Sequence, residues 1–261
     1  MFKKYQLVFS TTVKEYFAYR LNFVLWRLRM FIYLASTYFF WQAVFEKNIT
    51  FGHYDKSAIL SYILYVSLIS NFVFGTRTSD IAAEINDGSI INWLLKPISF
   101  FRLYMAKDLV DKIMNIAFSL FEVWLIVYFF KAPLIAPKNI LLASLFFING
   151  LAISFYVNMM LSFIGFWTTE VWAPRFVFMI MVLFAAGTYF PLDILPPLLY
   201  KIMIMTPFPY LFFMTTRTLV GRTDGFVLFE VLISFFWVIA CFFLAKRIWK
   251  KGNKSFSFWG R

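Results

Sequence analysis

Among 261 residues the chain holds one histidine and one cysteine, and this bounds its chemistry before any element is drawn. His53 stands two residues before Asp55, and Cys241 lies in an apolar run, so neither a metal site of clustered His and Cys nor an intrachain disulfide can be assembled. An enzyme acting on lipid would need grouped nucleophiles, bases or metal ligands, and no stretch supplies them. The phosphate-loop pattern G-x-x-x-x-G-K-[ST] is missing, as is any Gly-Lys pair; P-loop binding of ATP by this chain is therefore not expected. What remains is scattered. Glu122, Asn149 and Asn158 interrupt apolar runs, a mixed-charge stretch occupies positions 77–112, and five of nine prolines fall between positions 191 and 209.

Isolated polar groups of this kind act only where the surrounding elements hold them, and composition says what those elements are. Hydrophobic residues make up 62% of the chain, 37 of them phenylalanine, and the mean hydropathy is +0.74. A soluble globule of this length could not keep so much apolar surface from water. The expected class is an all-α integral membrane protein. A net charge of +12 is then read as loop and headgroup charge, with no nucleic-acid partner implied. No signal peptide is expected at the N-terminus, because Lys14, Glu15, Arg20, Arg27 and Arg29 break up any apolar core.

A spanning window gives six transmembrane helices, at 24–45, 57–75, 113–130, 139–167, 171–190 and 226–244. Lys3, Lys4, Lys14, Arg20, Arg27 and Arg29 precede the first, and Lys246 to Arg261 follow the last. Arg77, Lys96, Arg102, Lys107 and Lys112 lie between the second and third, and Arg175 between the fourth and fifth. These eighteen of 25 basic residues share one face, which the positive-inside rule makes cytoplasmic, with both termini there, in a cell inner or plasma membrane. Residues 191–221 fall on the outer face. Their prolines deny them a straight crossing, so they read as a re-entrant helical hairpin before the last span; a kinked seventh span would put the basic C-terminus outside.

Residues 1–23 read as an in-plane amphipathic helix, Phe2, Tyr5, Phe9, Val13 and Tyr16 on one face and Lys3, Lys4, Ser10, Thr11, Lys14 and Glu15 on the other. In the loop at 77–97, Ser79 or Asp80 could cap a short helix that Gly88 stops, with Ile81 and Ile85 as exposed anchors for a soluble partner. A solvated connector fits the same pattern. Glu122, near mid-span, must face protein or water, as a structural partner of a basic group or as a substrate or proton site. Asn149 and Asn158 fit helix-to-helix hydrogen bonding or a substrate path. Glu230 is expected at the outer headgroup level.

Taken in order, "YRLNFVLWRLR", "EINDGSIINWLLKP" and "YFPLDILPPLLYKIMIMTPFPYLFFMTTRTLVGR" resemble the ABC-2 type permeases, the membrane subunits of ATP-binding-cassette exporters, above all their daunorubicin-resistance-like branch. The resemblance implies a non-catalytic subunit whose first cytoplasmic loop couples to an ATPase through Asp80, Ile81, Glu84, Ile85, Gly88, Leu94, Leu95, Lys96 and Pro97. It implies an outer gate containing Pro191, Asp193, Pro196 and Pro207. Two ATP-binding subunits, carrying ATP and Mg, and a second permease, identical or homologous, are the implied partners besides membrane lipids. A hydrophobic or amphipathic drug, antibiotic, peptide or lipid is the implied cargo; a lipid-modifying membrane enzyme is the alternative.

Overall fold

The computed structural model describes residues 2–18, 20–47, 50–74, 76–223 and 227–255. Eleven α-helices follow in chain order: α1 Phe2–Ala18, α2 Arg20–Lys47, α3 Lys56–Phe74, α4 Asp80–Asn86, α5 Ile91–Leu94, α6 Phe100–Phe130, α7 Ile140–Phe163, α8 Trp172–Ala185, α9 Pro197–Ile204, α10 Phe213–Val220 and α11 Val227–Ser255. A two-stranded hairpin, β1 Thr50–Phe51 and β2 Tyr54–Asp55, turns through Gly52 between α2 and α3. Among the described residues four helices are long and apolar enough to cross a bilayer: α3, α6, α7 with the following 3-10 turn, and α11. The fold is thus that of a multi-pass helical membrane protein.

The other two expected spans differ in instructive ways. α2 has the length, at 28 residues, but Arg27 and Arg29 lie within the helix and lower its mean apolarity. α8 has only 14 residues, about 21 Å of helix at 1.5 Å per residue, and stops well before position 190. The stop is Gly187, whose φ of +75° cannot continue a helix and whose carbonyl accepts the Tyr62 hydroxyl at 2.6 Å. α6 departs in the other direction. It runs 31 residues, roughly 46 Å, so its first thirteen residues extend beyond the span expected at 113–130. It ends where Lys131 turns left-handed ahead of Pro133.

Packing is centred on α3, whose run from Ala58 to Val66 is buried. α3 meets α2, α6, α7 and α10, while α7 and α11 pack along each other. The proline-rich stretch leads into α10, which packs against α3 and α7. A 3-10 turn at Leu192–Ile194, α9 begun by Pro197 at its first position, and a second 3-10 turn at Phe208–Tyr210 lead into α10. Phe212, Phe213, Thr216 and Arg217 are among its buried residues. α7 allows the entry through Gly150, because a Cβ there would stand 2.6 Å from the Tyr210 carbonyl oxygen and 3.0 Å from that of Leu211. Backbone cannot step aside as a side chain can.

A second apolar cluster forms at the end of the bundle that carries residues 76–98. Ile81, Ile85 and Ile90 pack there with Phe100, Leu103, Tyr104, Phe155, Met159, Phe163 and Phe166, against Trp249 of α11. Gly150→Ala should lower stability by about 1–3 kcal/mol, the usual range for overpacking, seen as a reduced melting temperature of the detergent-purified chain. An unchanged melting temperature would contradict the close approach.

Candidate functional site

Along α6, Asp108, Asp111, Lys112, Asn115, Ser119 and Glu122 recur every three or four residues, which puts them on one face, and all six are buried. Each finds partners. Lys112 Nζ pairs with Asp108 at 3.3 Å and donates to the Phe72 and Val73 carbonyls at the end of α3, both at 3.2 Å. The Asn115 amide donates to Asp111 Oδ2 at 3.1 Å. Arg27, reaching from α2, donates to Asn115 Oδ1 at 3.3 Å and Ser119 Oγ at 3.1 Å, and closes an ion pair with Glu122 at 2.6 Å.

Two sequence expectations are corrected by this geometry. Arg27 is not a charge in a loop before the first span; it is buried between α2 and α6. Glu122 pairs with that cation through Oε1, while its Oε2 is buried without a hydrogen-bond partner. Its opposite number at the far end of the bundle is Arg217 of α10, which pairs with Glu230 at 2.5 Å and donates to the Tyr200 hydroxyl at 2.6 Å. Glu230 is therefore enclosed by the protein. Spacing on α6 carried the signal for the polar face, whereas neither pair of partners is visible in one helix alone.

Residues 76–98 lie across the loop end of α6 and α7. Ser79 occupies the N-cap position of α4 without a side-chain cap hydrogen bond. Gly88, at φ +78°, ends the helix, its N–H bonding the Ile85 carbonyl at 3.3 Å in the manner of a left-handed C-cap. The Ser89 hydroxyl, with the Ser89 N–H at 2.8 Å, holds the Asp87 carboxyl below the usual carboxylate range. Ile81 and Ile85 are buried in the chain's own core, which corrects the expectation of exposed anchors. Leu95 is the exposed apolar residue, at 79%, flanked by exposed Lys96 and Pro97. Lys96 lies 4.3 Å from the Trp93 ring, Leu94 packs on the inner cluster, and Glu84 pairs with Lys107 of α6 at 3.5 Å.

This loop is fastened to its surroundings on three sides. Arg77 reaches Glu15 of α1 at 3.7 Å, Asp80 at 3.8 Å and Asp111 of α6 at 3.7 Å. Ser162 of α7 donates to the Thr78 carbonyl at 2.6 Å, and Asn86 to that of Thr169 at 3.2 Å. α1 packs along α6 through Val8 and Thr12, leaving Leu7 and Phe9 exposed; the side chains of Phe2, Tyr5 and Tyr16 lie outside the described ones.

The three residues expected on a path do not converge. Asn149 donates to Ser234 of α11 at 2.8 Å, a bond between helices. Asn158, bonded within α7 to the Ser154 carbonyl at 2.9 Å, does line a cavity of about 470 Å³ between α2, α3, α7 and α8. Arg175 also lines it, placed in the first turn of α8 and not in a connecting turn, with Nη2 donating to the Asn158 carbonyl at 3.1 Å and to Ser162 Oγ. On the opposite end, Asp193 accepts the Tyr54 hydroxyl at 2.8 Å and lies 3.3 Å from His53 Nε2, fastening the β-hairpin to the proline-rich segment. Pro191 and Pro196 flank it in extended backbone, and Pro207 opens the 3-10 turn before α10. Among the described residues no group of three His, Cys, Asp or Glu is placed to hold a metal ion.

Compared with known families, residues 31–260 match the model of the ABC-2 family transporter proteins. No curated protein matches the chain.

If the Arg27–Glu122 pair is what keeps α2 on α6, removing one partner leaves a buried charge uncompensated, at a cost of about 3–5 kcal/mol. Arg27→Met alone or Glu122→Leu alone should therefore reduce folded yield and melting temperature more than the two together. A double variant worse than either single one would contradict the pairing.

Proposed function

The chain belongs to the ABC-2 transporter family, and from that premise we propose that it is the permease of an ATP-binding-cassette exporter that couples to its ATPase through residues 76–98. Permeases of this family are transport components that work with a separate ATP-binding subunit. In our reading two such subunits, which carry the ATP and Mg, serve two permease copies, identical or homologous. α2 and α8 complete six crossings with α3, α6, α7 and α11. Both termini and the loop lie in the cytoplasm, in a cell inner or plasma membrane. α1 lies in the plane of the inner leaflet.

The observation that carries this reading is the two-sided build of the loop. Its inner side, Ile81, Ile85 and Ile90, is buried against α6 and α7, and its outer side presents Leu95, Lys96 and Pro97. A displacement applied to the outer side would be passed inward by contacts already made, through Arg77 and Glu84 to α6 and through Thr78 to α7. Ion pairs and hydrogen bonds at both ends of the bundle support movement of whole helices over local melting. The segment with Pro191, Asp193, Pro196 and Pro207 would act as the outer gate, with Asp193 as its fastener to the β-hairpin. The cargo would be a hydrophobic or amphipathic compound, as in the drug-resistance-like branch.

When the tagged chain is purified gently from its native membrane, an ATP-binding subunit should accompany it in equal amount, and hydrolysis by the complex should depend on Gly88. Proline cannot adopt a φ of +78°, so Gly88→Pro should release or uncouple the ATPase. Asn tolerates the left-handed region, and no atom lies within 4 Å of a Cβ at this position, so Gly88→Asn should keep most of the coupled activity. A chain that purifies alone, or an ATPase indifferent to Gly88→Pro, would overturn the coupling.

A further inference from the structure

The cavity between α2, α3, α7 and α8 has an unusual charge balance. Arg29 and Arg175 line it, and no aspartate or glutamate does. Arg29 has no ion-pair or hydrogen-bond partner among the described residues. Arg175 is held in place by its bonds to Asn158 and Ser162, yet its Nε is buried with no acceptor. Asp80, the carboxylate whose charge reaches Arg175, is itself ion-paired with Arg77 at 3.8 Å. Two cations facing one mainly apolar cavity repel each other and favour an anion between them.

The rest of the wall is mixed and mainly apolar. Asn71, Asn158 and the Thr76 hydroxyl join the two arginines, while Trp26, Met30, Phe178 and Leu183 supply apolar surface. Arg175 and Leu183 lie eight positions apart on α8, roughly 12 Å along the helix axis. A volume of about 470 Å³ falls in the range of sites that enclose a small organic ligand. Guanidinium groups take carboxylate or phosphate by paired, charge-assisted hydrogen bonds.

We propose that this cavity binds an anionic amphiphile, its carboxylate or phosphate head held by Arg29 and Arg175 and its apolar body laid along α2 and α8. That the occupant is cargo rests on the permease reading; that it binds does not. The test is binding of dodecyl phosphate to the full chain in phosphatidylcholine nanodiscs, beside uncharged dodecanol and cationic dodecylamine.

Dodecyl phosphate should bind most tightly, and Arg175→Gln or Arg29→Gln should weaken it roughly tenfold, the loss expected for one charged hydrogen bond, with dodecanol unaffected. Arg175→Lys should fall between. Melting temperatures of the variants equal to that of the parent chain exclude misfolding as the cause. Addition of phosphatidylglycerol to the nanodiscs separates the two sources of such a head: competition identifies a lipid headgroup, and its absence a free amphiphile. Equal binding of the three probes, or dodecyl phosphate affinity unchanged in both glutamine variants, would overturn the site. Because the readout needs neither ATP nor a partner, a chain that binds but never couples to an ATPase would count against the permease reading alone.

Discussion

A buried arginine on α2 must meet a carboxylate on α6, and the arrangement at one end of this protein depends on that requirement. Arg27 and Glu122 meet at 2.6 Å with both side chains almost wholly enclosed. In an apolar bundle neither charge is tolerable without the other. The pair fixes the rotation of α6, and rotation in turn carries Ser119, Asn115, Asp111 and Asp108 inward in step. Those groups lead toward the loop end, where Arg77 gathers Glu15, Asp80 and Asp111. One polar face thus joins the middle of the bundle to residues 76–98 without a break.

The far end obeys the same constraint by different means. Arg217 and Glu230 hold α10 against the start of α11, and α10 lies deep among α3 and α7 because Gly150 leaves room for the backbone at Tyr210 and Leu211. Prolines start α9 and open the turn before α10, so the chain reverses there without leaving an irregular stretch exposed. Such backbone is tolerated in a membrane only where protein surrounds it. The proline-rich segment and the loop are therefore both anchored by charges set in apolar packing. Between them lies the cavity lined by Arg29 and Arg175.

Much of this architecture was legible in the sequence. Long apolar runs located α3, α6, α7 and α11, the prolines marked the segment that folds back, and Gly88 marked the end of α4. What escaped was pairing. Arg27 counts as a cytoplasmic charge in any tally of basic residues, because hydropathy knows nothing of a glutamate 95 positions later on another helix. Ile81 and Ile85 share a face, as their spacing requires, but spacing does not say whether that face meets a partner or the chain's own Phe163 and Tyr104. Arg175 and the end of α8 were misplaced for a related reason: an apolar window ignores the left-handed turn at Gly187 that cuts the helix short. Periodicity fixes a face, and only packing says what the face touches.

If residues 77–97 are the surface on which an ATPase acts, as proposed, an impermeant label at one residue will report it. Leu95 is changed to Cys in a chain whose buried Cys241 is replaced by Ser, and membranes of known orientation are treated with an impermeant maleimide with and without the ATP-binding subunit. Labelling is expected from the cytoplasmic side alone, with protection when the subunit is bound. Labelling from the outer side, or equal labelling with the subunit present, would contradict it.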